Sequence, residues 1–171
     1  RTKSKNKKNI KKILYYKYYI TNIIYMKHEL LQVDNFVKYL YAFFIGAFIV
    51  VYLLKIPNLL TGADDLLKQY YYDNFIQSTL LDGILIYIYL LIGIYIINKF
   101  NINNSLLHKI FIIFTTSFII TSIFCIIFIS RPKTDFAFSK WFHRVGMKAS
   151  VYDGIILSII YFIYDYLQKI I

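Results

Sequence analysis

The sequence predicts an all-α integral membrane protein, with four transmembrane helices and amphipathic helices lying at the membrane surface. Three observations carry that prediction. Hydrophobic residues make up 58% of the 171 and aromatic residues 20%, more apolar surface than a soluble domain of this length can hide. Several apolar stretches are long enough to cross a bilayer. Between them stand short segments that mix aromatic rings with lysine and arginine, residue types that settle where hydrocarbon gives way to headgroups.

Residues 1–12, RTKSKNKKNIKK, hold seven cations and no acid. Such a block repels itself and is expected to be extended. Lys3, Lys5, Lys7, Lys8, Lys11 and Lys12 suit anionic lipid headgroups better than nucleic-acid phosphates, because a membrane adjoins the tail and no base-reading module follows it. Residues 13–35 read as an amphipathic interfacial helix. Ile10, Ile13, Leu14, Ile20, Ile24 and Leu31 recur at roughly helical spacing, interrupted by Lys17, Lys27 and Glu29. Its tyrosines place an apolar ring and a wet hydroxyl at the headgroup level. Asp34 or Asn35 is positioned to cap the next helix.

Residues 36–171 form the four-span domain. The first span is about 36–56, with Lys38 and Lys55 placed to snorkel at its ends, Gly46 and Ala47 offering a close-approach spot, and Pro57 stopping it. A second interfacial helix is expected over about 64–77, where Leu66, Leu67, Tyr70 and Tyr71 form a stripe and Thr61 with Asp64 resembles a capping box. The second span is about 79–98, with Asp82 and Gly83 in its first turn. The short polar connection NKFNINNS returns the third span, about 106–129, antiparallel beside it. Thr115, Thr116, Ser117, Thr121 and Ser122 in that span can bond their own backbone or a neighbouring helix.

A third interfacial helix covers about 136–148. Phe138, Trp141, Phe142 and Val145 share one face, and Lys140, Arg144 and Lys148 lie opposite, the pattern of a helix with rings in the membrane and cations above it. The chain turns near Gly146 and enters a fourth span, about 150–167. Each half of the domain thus holds a span, a proline, an amphipathic segment and an acid–glycine pair, so LLDGILIYIYLL can be set beside VYDGIILSIIYF. A duplication of this kind would relate the halves by an axis along the membrane normal; the match is short and lies in low-complexity sequence. Thirteen of the 20 lysines and arginines fall on the side of the amino-terminal tail and seven on the other, which favours the tail in the cytoplasm.

The residues with chemistry to offer are few. Asp82, Asp153 and Asp165 are carboxylates within spans, and such groups are functional candidates by default, here as a proton or cation relay. Position favours a plainer reading for Asp82 and Asp153, near helix N-termini where the dipole and water tolerate an anion. Arg144 and Lys148 stand near Asp153 as partners, and Asp165 would pair with a cation from another helix. His28, His108 and His143 are dispersed without metal-ligand spacing, and Cys125 is the single cysteine, so neither a metal site nor an intrachain disulfide is expected. There is no Ser/His/Asp arrangement, phosphate-cradling glycine loop or HExxH motif. Neither an enzyme nor a cofactor is therefore expected. The polar lead before the first apolar run does not fit a signal peptide, and the start at Arg1 predicts a part of something longer.

The run FSKWFHRVGMKASVYDGIILSIIYFIYDYL resembles the conserved multi-pass membrane proteins of nucleocytoplasmic large DNA viruses, the giant viruses with a lipid membrane beneath an icosahedral shell. The resemblance rests on Phe138, Trp141, Phe142, Val145, Gly146, Ala149, Tyr152 and Asp153 and covers the last quarter of the chain. It implies a structural virion component, a minor capsid protein in the internal membrane, with no enzymatic residues carried over. Its partners would be the bilayer, other capsid or minor capsid proteins and further copies of itself. The excess of Ile, Tyr, Phe, Asn and Lys fits an A/T-rich genome, which such viruses share with apicomplexans, ciliates and organelles. Two other functions stay open on the sequence: a transporter or channel subunit using Asp82 and Asp153, and an accessory subunit of a respiratory complex in an organellar inner membrane.

Overall fold

The computed structural model describes residues 33–102 and 105–170, and among these every regular element is a helix. In chain order they are α1 (Val33–Leu53), α2 (Ile56–Thr61), α3 (Asp64–Lys68), α4 (Phe75–Lys99), α5 (Leu106–Ile129), α6 (Ala137–Val145) and α7 (Lys148–Ile170). α1, α4, α5 and α7 are long and apolar enough to cross a membrane. The basic tail with Lys3, Lys5, Lys7, Lys8, Lys11 and Lys12, and most of the expected helix over 13–35, lie outside the described residues.

The surfaces of the long helices decide their solvent. Phe44 is 56% exposed, Phe111 69%, Ile126 64% and Phe162 50%. Contiguous apolar surface on this scale is not left to water in a soluble protein. α4 and α5 are apolar all round, as expected of a helix with protein on one side and lipid on the other. The chain is an all-α membrane protein.

One compact unit runs Lys38–Ile171. Its helices meet where small residues let backbones approach, the usual device when lipid removes any hydrophobic drive between helices. A Cβ on Gly46 would stand 2.6 Å from the Ile160 side chain, one on Gly93 2.5 Å from Ile113, and one on Gly154 2.6 Å from the Phe114 ring. These three contacts join α1 to α7, α4 to α5 and α5 to α7. Between them Val50, Leu90, Ile113, Leu157 and Ile160 form an interior that is essentially fully buried.

Several boundaries differ from expectation, each for a local reason. Asp34 lies within the first turn of α1 instead of capping it. The last part of that helix, Phe48–Leu53, is wound as a π-helix, with Leu54 N–H bonding Ile49 O at 2.8 Å. The chain then breaks at Lys55, which adopts the left-handed conformation, so Pro57 starts α2 rather than stopping α1. Thr61 and Asp64 form no capping box. Thr61 Oγ1 donates to Pro57 O at 2.7 Å, and Asp64 accepts from Asn58 Nδ2 at 2.7 Å. The second surface helix is shorter than 64–77: α3 gives way to a π-turn over Gln69–Asp73, closed by Asn74 N–H on Gln69 O at 3.1 Å. α4 therefore begins at Phe75, and Asp82 sits about two turns inside it, not in its first turn.

α6 ends at Gly146, whose φ of 59° and ψ of −140° are open only to glycine; its N–H bonds Phe142 O at 2.9 Å. α7 starts two residues later. This reversal feeds the fourth span, and Asp153 in its second turn, back into the bundle.

Candidate functional site

Asp82 and Asp153 open into one cavity of about 250 Å³ at the end of the bundle where α4 and α7 begin. The long helices supply the floor. The π-turn after α3 supplies one wall and α6 another, bringing Tyr70, Tyr71, Phe138 and Trp141 around the acids. The lining residues farthest along the long helices from that end are Tyr89 on α4, Ser117 on α5 and Ile156 on α7. Beyond them stand Leu90, Ile113, Leu157 and Ile160. The cavity is therefore one-sided, with its mouth at the end of the bundle and an apolar layer beneath.

Each acid is held by a neutral hydroxyl. Tyr70 donates to Asp82 Oδ1 at 2.7 Å, and Thr121 donates to Asp153 Oδ2 at 2.7 Å. The π-turn matters here, because its wider winding turns two consecutive tyrosines inward. Tyr71 shares a 2.8 Å hydrogen bond with Tyr152, which lines the cavity beside Asp153. Burial, helped for Tyr70 by the Asp82 carboxylate, holds both turn phenols well above their ordinary range, so they keep their protons. Tyr52 donates to Tyr71 O at 3.1 Å and ties the turn to α1.

Among the described residues no cation pairs with either acid. Lys140, the one cation lining the cavity, pairs with Asp135 at 3.1 Å on the rim. Arg144 and Lys148, expected as partners of Asp153, are exposed, and Thr121 occupies the carboxylate instead. The two acids line the same cavity. The packing of α4, α5 and α7 brings both, still near the starts of their helices, to this one space. A further polar group lines it. Ser117 is fully buried, and among the described residues its hydroxyl has no hydrogen-bond partner. A serine in a helix usually bonds the carbonyl one turn back, as Thr115 bonds Phe111 O at 2.8 Å.

The third acid does not join the site. Asp165 pairs with Lys169 on its own helix at 2.5 Å, so no cation from another helix is needed. α6 also departs from its expected role. Phe142 is only 6% exposed, stacks on Phe128 with ring centroids 5.4 Å apart and packs against Val145, Ala149 and Cys125. Phe138 and Trp141 are half-buried around the cavity. The rings of this helix face protein, since the α5–α7 end of the bundle offers them a surface that lipid would otherwise cover. Arg144 and Lys148 stay on the outside, beside exposed Arg131 and Lys133. His143 is half-buried and bridges Ser139 O (2.9 Å) and Arg131 O (3.1 Å), fixing α6 to the end of α5. His108 Nδ1 shares a 2.9 Å hydrogen bond with Ser105 Oγ, away from the cavity, and His28 lies outside the described residues.

Among the described residues no three of His, Cys, Asp and Glu gather as a metal-ion ligand set. No protein-family model, curated protein or solved structure matches the chain.

Proposed function

We propose that the protein is a structural membrane component of a virion, a minor capsid protein that anchors the internal lipid membrane to the icosahedral shell. The observation that carries a holding role over a moving one is the one-sided cavity. Among the described residues its polar lining stops at Tyr89 and Ser117; beyond, Leu90, Ile113, Leu157 and Ile160 close the interior, and the buried tyrosines Tyr161 and Tyr164 lie farther along α7. A path for ions or protons needs polar or wet footing across the whole membrane, and none follows from such a plug. The virion assignment is supported by the resemblance over Phe138–Leu167. The exposed cations Arg131, Lys133, Arg144 and Lys148, at the same end as the cavity, suit an anionic headgroup layer or an acidic protein face.

The test is where the chain sits. In purified particles stripped stepwise of their shell, the protein should stay with the membrane fraction and cross-link to capsid proteins before stripping. Its absence from particles would end the proposal. One observation favours a second reading, a transporter or channel subunit: two membrane acids share one cavity. Proteoliposomes separate the two readings, since proton or sodium flux that Asp153→Asn abolishes would establish transport.

A further inference from the structure

We propose that the cavity between α4, α5, α7 and the surface helices is a receptor for a primary ammonium group, carried by a small amine or by the headgroup of an amine-bearing lipid.

The chemistry of the lining selects the ligand. Two carboxylates with no ion-pair partner among the described residues exclude an anion and attract a cation. Each already accepts one hydroxyl bond, and a carboxylate has room for several. Ser117 adds a buried oxygen without a partner. Asp82, Asp153 and Ser117 line the same cavity, and the two carboxylates hold free acceptor capacity for the donors of an –NH₃⁺ group. The remaining wall is aromatic, with Tyr70, Tyr71, Tyr89, Phe124, Phe128 and Trp141. Ring faces attract organic cations and pack against the methylenes that follow the nitrogen.

A metal ion fits poorly. Calcium or magnesium wants six or more oxygens in a close shell, usually with several carboxylates, and among the described residues no three of His, Cys, Asp and Glu gather as a ligand set. Size points the same way: about 250 Å³ lies just below the range of drug-sized ligand sites and suits a group of a few heavy atoms. The mouth lies at the end of the spanning helices, where lipid headgroups and soluble amines both arrive, so both sources share the same recognition.

Trp141 is the single tryptophan of the chain and lines the cavity, which makes its fluorescence the readout. The full-length protein in detergent is titrated with ethanolammonium chloride, choline chloride and sodium chloride. It is then placed in nanodiscs of phosphatidylglycerol with and without phosphatidylethanolamine. Ethanolammonium should shift Trp141 emission saturably, with choline, which has no N–H donor, about tenfold weaker or worse, and sodium ineffective. Asp82→Asn and Asp153→Asn should each weaken binding roughly tenfold to a hundredfold, the worth of a charge-assisted bond. Ser117→Ala removes no internal bond and should still fold, with binding weakened about fivefold. It decides the matter if either asparagine variant fails to fold.

A response to phosphatidylethanolamine in the nanodisc identifies the lipid as the source; a response only to ethanolammonium identifies a soluble amine. No saturable shift with either, an equal shift with sodium, or unchanged binding in the folded variants would overturn the assignment.

Discussion

The two acid–glycine pairs, Asp82-Gly83 and Asp153-Gly154, look alike in sequence but are built differently. Asp82 takes its hydrogen bond from Tyr70 on the surface π-turn, whereas Asp153 takes its bond from Thr121 on a spanning helix. Gly83 has ordinary room: an added Cβ would meet only the Phe43 ring, at 3.6 Å. Gly154 has none, because the Phe114 ring would lie 2.6 Å from the same atom. One half of the site is therefore assembled from a peripheral turn and the other from the tightest helix–helix contact near the cavity. The same local motif serves two jobs, and the surroundings decide which.

The largest expected effect separates the glycines. Gly154→Ala should destabilise the bundle by about 1–3 kcal/mol, because a ring in a packed core has to move. Gly83→Ala should be neutral or stabilising by up to about 1 kcal/mol, since alanine is the better helix former and nothing clashes. Thermal unfolding in detergent measures both, and equal losses would erase the distinction between the halves.

Removing the hydroxyls sharpens the comparison. Tyr70→Phe should cost about 1–3 kcal/mol, because a partly buried carboxylate loses its donor. The loss should appear locally, as faster hydrogen exchange over residues 64–73. Thr121→Val should cost less, from about 0.6 to roughly 1.7 kcal/mol, the usual worth of a bond between membrane helices, and should leave exchange in the surface turn unchanged. Exchange that rises everywhere in both variants would mean that the two halves unfold as one. The smallest effect belongs to Ser117→Ala. With no hydrogen bond to lose, its stability should stay within about 0.5 kcal/mol of the parent.

Much of this architecture is legible in the sequence. Apolar runs of bilayer length mark α1, α4, α5 and α7, and the same length argument separates them from the short surface helices. The site was harder to see. Asp82 and Asp153 stand out as acids among apolar residues, but 71 positions separate them, and only packing at Gly93 and Gly154 brings their helices around one cavity. Tyr70 and Tyr71 look like part of an apolar stripe, because helical periodicity assumes a regular α-helix and the π-turn is not written in any residue pattern. For the same reason α4 begins four residues before the span that the apolar pattern predicts, and Asp82 lies about two turns inside it. Phe142 misled in another way. Amphipathicity shows that a helix has an apolar face but not whether lipid or protein covers it.

As a membrane protein, the chain needs hydrocarbon covering the outward faces of its long helices. Spin labels at Ile88→Cys, Phe111→Cys, Ile123→Cys and Phe162→Cys, each in a Cys125→Ser background in lipid vesicles, test this directly. Their relaxation should respond strongly to oxygen, which partitions into hydrocarbon, and weakly to a water-soluble nickel chelate. Labels that the nickel chelate reaches as readily as oxygen would place these faces in water and contradict the account.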